Sequence, residues 1–195
     1  MAWLLAGILT GLAIIGAHAA VDDGHSVRVL YLNAYDRGYP WSNDVERGLR
    51  ERLAASGQPL ELSVEYLDSR RFPDRAHLQT LADLLAIKYA HYPLDLVVVS
   101  DNAAFDFAIQ NRERLFPGLP LVFCGYNNFR PEVLSGIANV TGVNEEIDLA
   151  ANIELVLQVH PATHTLAFIT STGDPSSQRN TEIAEATIFP RYRDR

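Results

Sequence analysis

Residues 94–99 read LDLVVV, and the β-branched character is lost within three positions as the chain continues into SDNAAFDFAI. A short continuous apolar run of this kind suits a strand covered on both faces, the position of a central strand in a parallel sheet. Such a strand needs helices on both sides, and alternation along the chain supplies them. Residues 28–33 (RVLYLN) read as a first strand. Asn43, with Glu46 three residues on, makes a capping-box-like start to a helix reaching about Ser56, where Gly57-Gln58-Pro59 ends it. Residues 60–67 (LELSVEYL) alternate apolar and polar at period two, as a strand nearer the sheet edge does. After Phe72-Pro73, Leu78, Leu81 and Leu85 form a core-facing stripe at helical spacing. The spacing then predicts a helix capped by Asp101 or Asn102 and closed by Phe116-Pro117-Gly118. A fourth strand follows in LVFCG, residues 121–125. Further on, an extended piece ends in Thr141-Gly142 and a helix starts near Glu145 or Glu146 and runs through Val159. A fifth strand is predicted in LAFIT, residues 166–170, and Asp174-Pro175 opens a last helix. The pattern is that of an α/β protein with a doubly wound parallel sheet.

The 195 residues suffice for one substantial core. One helix, one strand and the start of another helix cannot bury their own faces, so the part after residue 142 reads as the opening of a second unit. A formal charge of −8 sets nucleic acid aside as a partner, because phosphate-backbone binding rests on clustered Lys and Arg. The first residues carry an apolar run from Ala2 to Ala17, followed by Ala17-His18-Ala19, which has the small-x-small form of a signal peptidase site. We read residues 1–19 as an export signal, with a retained signal anchor or a buried core helix as the alternatives; either of the first two implies a periplasmic or otherwise extracytoplasmic chain. Cys124, the only cysteine, stands in a strand-like run with no His nearby to activate it, and reads as a small buried hydrophobe.

In an open parallel sheet, ligands bind outside the carboxyl ends of the strands. Here that rule collects Tyr35, Asp36, Tyr39 and Trp41 after the first strand, Ser100, Asp101 and Asn102 after the third, Tyr126, Asn127 and Asn128 after the fourth, and Thr170, Ser171 and Thr172 after the fifth. Aromatics able to flank an organic solute thus accompany short hydrogen-bonding side chains. Each residue also has an ordinary structural use: a helix cap for Asp101 or Asn102, a loop anchor for Tyr35 or Trp41, a turn for Asn127. The motifs of dinucleotide, phosphate, serine-hydrolase and zinc-protease sites are absent from the sequence. His160 and His164 are four apart, but Pro161 breaks the helix that would place them on one face, so no metal is predicted. No cofactor is called for. An α/β hydrolase or transferase using Ser100 or Asp101 is the competing class, although no general base is visible for either.

The stretches VLYLNAYDRGYPWSNDVERGLRERL, VVVSDNAAFDFA, LVFCGYNN and IANVTGVNEEIDLAANIELVLQVHPATHTLAFITST resemble the ABC-transporter substrate-binding family with the type I periplasmic binding protein fold. The first two are most similar to the extracytoplasmic sensor domains of that family fused to histidine kinases or diguanylate cyclases. The resemblance implies two α/β lobes that close on a small solute, with Tyr35, Trp41, Ser100, Asp101, Asn102, Tyr126, Asn127, Ser171 and Thr172 facing the cleft, and no catalysis by this part of the chain. Residues 26–141 would form a complete first lobe, 141–144 the first hinge crossing, and the remainder to residue 195 a truncated second lobe. It also implies as partners a small-molecule solute, an amino acid or related metabolite among the candidates, and either a membrane permease or the protein's own transmembrane signalling module.

Overall fold

The computed structural model describes residues 26–173 and 175–193. The leader at residues 1–19 and the expected cap Asp174 lie outside the described residues. The elements run β1 (Val27–Asn33), α1 (Pro40–Ala54), β2 (Leu60–Tyr66), α2 (Arg75–Lys88), β3 (Leu96–Ser100), α3 (Asp101–Gln110), a single turn α4 (Arg112–Leu115), and β4 (Leu121–Asn127). They continue through a 3-10 turn (Pro131–Leu134), β5 (Val140–Glu145), α5 (Leu149–Val159) and α6 (Pro175–Ile183), which passes through a π turn (Ala184–Ile188) into α7 (Phe189–Tyr192).

The five strands form one sheet in the order β2-β1-β3-β4-β5, and every pairing is parallel. β3 is central, and four of its five residues are buried. β2, the period-two segment, takes an edge. One sheet face presents Leu30, Leu32, Val97, Val99, Leu121 and Phe123 to α2 and α3, with Leu85, Phe105 and Ala108 completing the core. The other presents Val29, Tyr31 and Val98 to Val45, Leu49 and Leu53 of α1. Chain progression reverses direction beside β1, since β2 is added on one side and β3, β4 and β5 on the other. This topological switch point opens a crevice at the carboxyl ends of β1 and β3.

Several sequence expectations are corrected. α1 begins at Pro40, not at Asn43: proline at the first helical position has its φ preset and lacks an N–H that would go unpaired there. Asn43 instead accepts the Gly38 N–H at 3.2 Å. Neither Asp101 nor Asn102 caps α3; both stand inside its first turn with their side chains bonded elsewhere. Glu145 ends β5, and the following helix starts at Leu149, where Asp148 caps it by accepting the Ala151 N–H at 2.8 Å. The fifth strand is not LAFIT but the segment from Val140 to Glu145. Residues 166–170 pair with no strand among the described residues, and Ile169 is 92% exposed. A strand exists through its ladder, and an apolar alternating sequence without a neighbour does not make one.

Two glycines set the β4–β5 edge. Gly142 lies opposite Phe123, and a methyl group there would sit 2.3 Å from the Phe123 carbonyl oxygen. Gly125 occupies a shift of register between Cys124 and Tyr126 with φ +68°, a left-handed conformation natural to glycine. A methyl group there would also lie 2.9 Å from the Trp41 ring. The bulge therefore gives the indole its seat.

Candidate functional site

Immediately after β1 the chain turns through Tyr35, Tyr39 and Trp41. Tyr35 is buried, and its ring meets Tyr39 edge-on at 5.1 Å and Trp41 edge-on at 5.8 Å between centroids. Edge-to-face packing is the favoured aromatic geometry, and it fixes the three rings as one wall. Arg70, from the loop after β2, places its guanidinium 4.5 Å from the Tyr39 ring centre and 5.7 Å from that of Tyr35.

Asp101 stands at the end of β3 with φ +70°, a backbone region that aspartate enters at some cost. Its side chain explains how the conformation is held. Tyr35 donates its hydroxyl to Oδ2 at 2.7 Å, and Ser176 of α6 donates to Oδ1 at 2.5 Å. The carboxylate thus links the aromatic wall to the C-terminal helices. A second tie joins the same regions, since Arg179 pairs with Asp106 at 2.7 Å while lying over the Tyr126 ring.

Between the wall and the end of β5 is a cleft of about 280 Å³, lined by Tyr35, Tyr39, Trp41, Arg70, Asp101, Glu145, Ile147, Ser171 and Ser177. The Glu145 carboxyl is held above the usual carboxylate range, first by loss of water around it and then by the negative charge of Asp101. Cys124 of β4 has its thiol pushed up to about 11 by burial, with Asp101 and Glu145 adding to the effect.

The architecture matches the ligand-free, open structure of CD0873, a substrate binding protein with adhesive properties from Clostridium difficile. The chain shares its fold with a substrate-binding protein. The TM-score is 0.53 at 13% sequence identity, and the match covers 83% of this chain and 54% of CD0873, so the chain spans about half of that protein's length. No protein-family model matches the chain, and no curated protein sequence does.

On this fold, the nine residues expected to face the cleft separate into two groups of four and a lone Thr172. Tyr35, Trp41, Asp101 and Ser171 come together around the cleft. Ser100, Asn102, Tyr126 and Asn127 are buried in the framework behind it. The Ser100 hydroxyl shares a hydrogen bond of 2.7 Å with Tyr31 on the α1 side of the sheet. Asn102 clamps β4: its Oδ1 accepts the Asn127 N–H at 2.9 Å and its Nδ2 donates to the Asn127 carbonyl at 3.1 Å. Tyr126 packs edge-on against Phe105 at 4.7 Å. Thr172 stands outside the cleft lining, its carbonyl accepting from Gln178 at 2.6 Å. Of the other lining residues, sequence reading collected Tyr39 among the strand-end residues, read Glu145 as belonging to a helix start, and missed Arg70, Ile147 and Ser177. Tyr39 had a signal, lying between Tyr35 and Trp41 in one strand-end loop. Arg70 had none, because it follows the edge strand β2 and reaches the site only by laying its long side chain across the tyrosines.

Proposed function

We propose that this chain is a non-catalytic solute-binding domain that takes a small molecule in the cleft at the β1–β3 switch point. The observation that carries the reading is the pairing of a three-ring aromatic wall with charged groups of both signs at the one place where a doubly wound sheet offers a crevice. CD0873, which shares the fold, is a substrate binding protein and adds support. The cleft is bounded on one side by strand-end loops of the sheet and on the other by Ser171 and Ser177, so a solute touching both changes the free energy of their approach. In an exported protein, that closure is what a permease or a transmembrane signalling helix reads. An enzyme built on Ser100 and Asp101 is less well supported. Ser100 is fully buried and bonded to Tyr31, and the cleft lining includes no histidine to act as its base. The test is a melting-temperature and small-angle scattering screen of the purified protein against amino acids, amines, organic acids and sugars. We expect at least one class to raise the melting temperature and to contract the scattering profile. A flat response across all four classes would remove the proposal.

A further inference from the structure

The loop between β2 and α2 presents one cation to the cleft and fixes it through its neighbours. Ser69 is buried, and its N–H and its hydroxyl both donate to the Ala34 carbonyl, at 2.9 and 2.8 Å, which ties the loop to the end of β1. The two acids of the loop are both committed. Asp68, at φ +53°, accepts from Arg71 Nε at 2.7 Å and from Arg71 Nη2 at 2.5 Å. Asp74 caps α2 by accepting the His77 N–H at 2.9 Å. Arg70, between them, forms no ion pair and donates no hydrogen bond among the described residues; its guanidinium lies 4.5 Å from the Tyr39 ring centre and 5.7 Å from that of Tyr35. A ring face attracts the charge without accepting the N–H groups as an oxygen does, so the guanidinium fork keeps its capacity for a carboxylate.

The acids that line the cleft do not claim this cation either. Asp101 accepts hydroxyls from Tyr35 and Ser176, and Glu145 stands where loss of water favours its neutral form. Neither forms an ion pair with Arg70. An exposed ion pair contributes little by itself, and Arg70 is exposed. What distinguishes this guanidinium is its place on the aromatic wall. An oxyanion drawn to it brings the rest of its molecule beside Tyr35 and Tyr39, where the rings displace water from the pairing. The cleft volume of about 280 Å³ falls at the small end of ligand sites and suits one ring on a short charged arm.

We propose that Arg70 sets the specificity of the cleft and that the solute is a small organic acid, its carboxylate on the Arg70 guanidinium and its apolar body on the Tyr35–Tyr39–Trp41 wall. The proposal rests on the solute-binding reading and names the ligand class of that site. Calorimetric titration of the full chain with three compounds of one shape tests it: 3-phenylpropionate, 3-phenylpropan-1-ol and 3-phenylpropylamine. The acid is expected to bind at least about tenfold more tightly than the alcohol or the amine, as a charge-assisted hydrogen bond warrants. Arg70→Gln is expected to weaken acid binding by about tenfold or more, to change alcohol binding by less than about threefold, and to retain the melting temperature. Arg70→Lys, which keeps the charge and loses the fork, should recover only part of the acid's affinity. Equal or tighter binding of the alcohol or the amine overturns the organic-acid proposal and leaves solute binding standing, as does acid binding indifferent to Arg70→Gln. If all three compounds are silent while the wider screen responds, the Arg70→Gln comparison moves to the responding compound. An organic acid that then loses its affinity supports the proposal, and one that keeps it, or a responding class without an acid, overturns it. Silence from all three together with a flat screen overturns both readings.

Discussion

At the scale of single residues, the strand-end triplet Ser100-Asp101-Asn102 divides its labour by direction. Ser100 points to the α1 side and satisfies Tyr31, Asp101 reaches the cleft, and Asn102 holds the β4 backbone. Sequence placed all three at the end of a strand, but assigning them to different faces needs the dihedral of Asp101, which no local pattern specifies. Ser100→Ala is expected to destabilise by about 1–3 kcal/mol in urea unfolding, because it leaves the buried Tyr31 hydroxyl without that partner. Adding Tyr31→Phe should recover most of the loss. The Glu145 carboxyl gives a pH signature. Its pKa is raised in the folded state, so the fold favours its protonated form; its contribution to stability is fully present below the ordinary glutamate value and is lost as pH rises through the folded one. Glu145→Gln is therefore expected to raise the melting temperature of the ligand-free protein at neutral pH and to have no such effect in acid, below about pH 4. The high pKa of Cys124 leaves about one thiol in ten thousand ionised at pH 7, so its alkylation should be slow until the protein unfolds.

At the scale of elements, the strands with the strongest sequence patterns were the easiest to read. β3 announces itself through four consecutive buried residues, and β2 through its alternation. Helix starts were harder. A capping box at Asn43 competes with a proline at the first helical position, and Pro40 wins because its ring presets the turn without any side-chain bond. Residues 166–170 failed for a different reason, since strand character in a sequence is only half of a pairing. β5 carried a weak signal because almost every residue in it is exposed and Gly142 interrupts it. That glycine nevertheless decides the edge. Gly142→Ala should cost about 1–3 kcal/mol and loosen β5 selectively, since the new methyl group meets the Phe123 backbone, which has little freedom to yield. Hydrogen exchange on the variant should show faster exchange over residues 140–145 with β1 unchanged.

At the scale of the whole molecule, burial is concentrated in the sheet and thins toward the C-terminal end. β1 and β3 are nearly enclosed, whereas α5 contains no buried residue and leaves Val159 63% exposed. Stability is expected to follow that gradient. Amide exchange should be slowest in β1 and β3 and fastest across residues 160–173, and an even distribution would contradict the packing described. The seat that Gly125 makes for Trp41 has an optical consequence. Trp41 is the one tryptophan among the described residues, the other being Trp3, and its indole forms part of the cleft wall. In a chain beginning at residue 26, light absorbed at the red edge of the ultraviolet band is thus taken up by a single chromophore that touches any occupant of the cleft. The emission colour and quantum yield of this protein then constitute a binding isotherm in themselves, readable without a label.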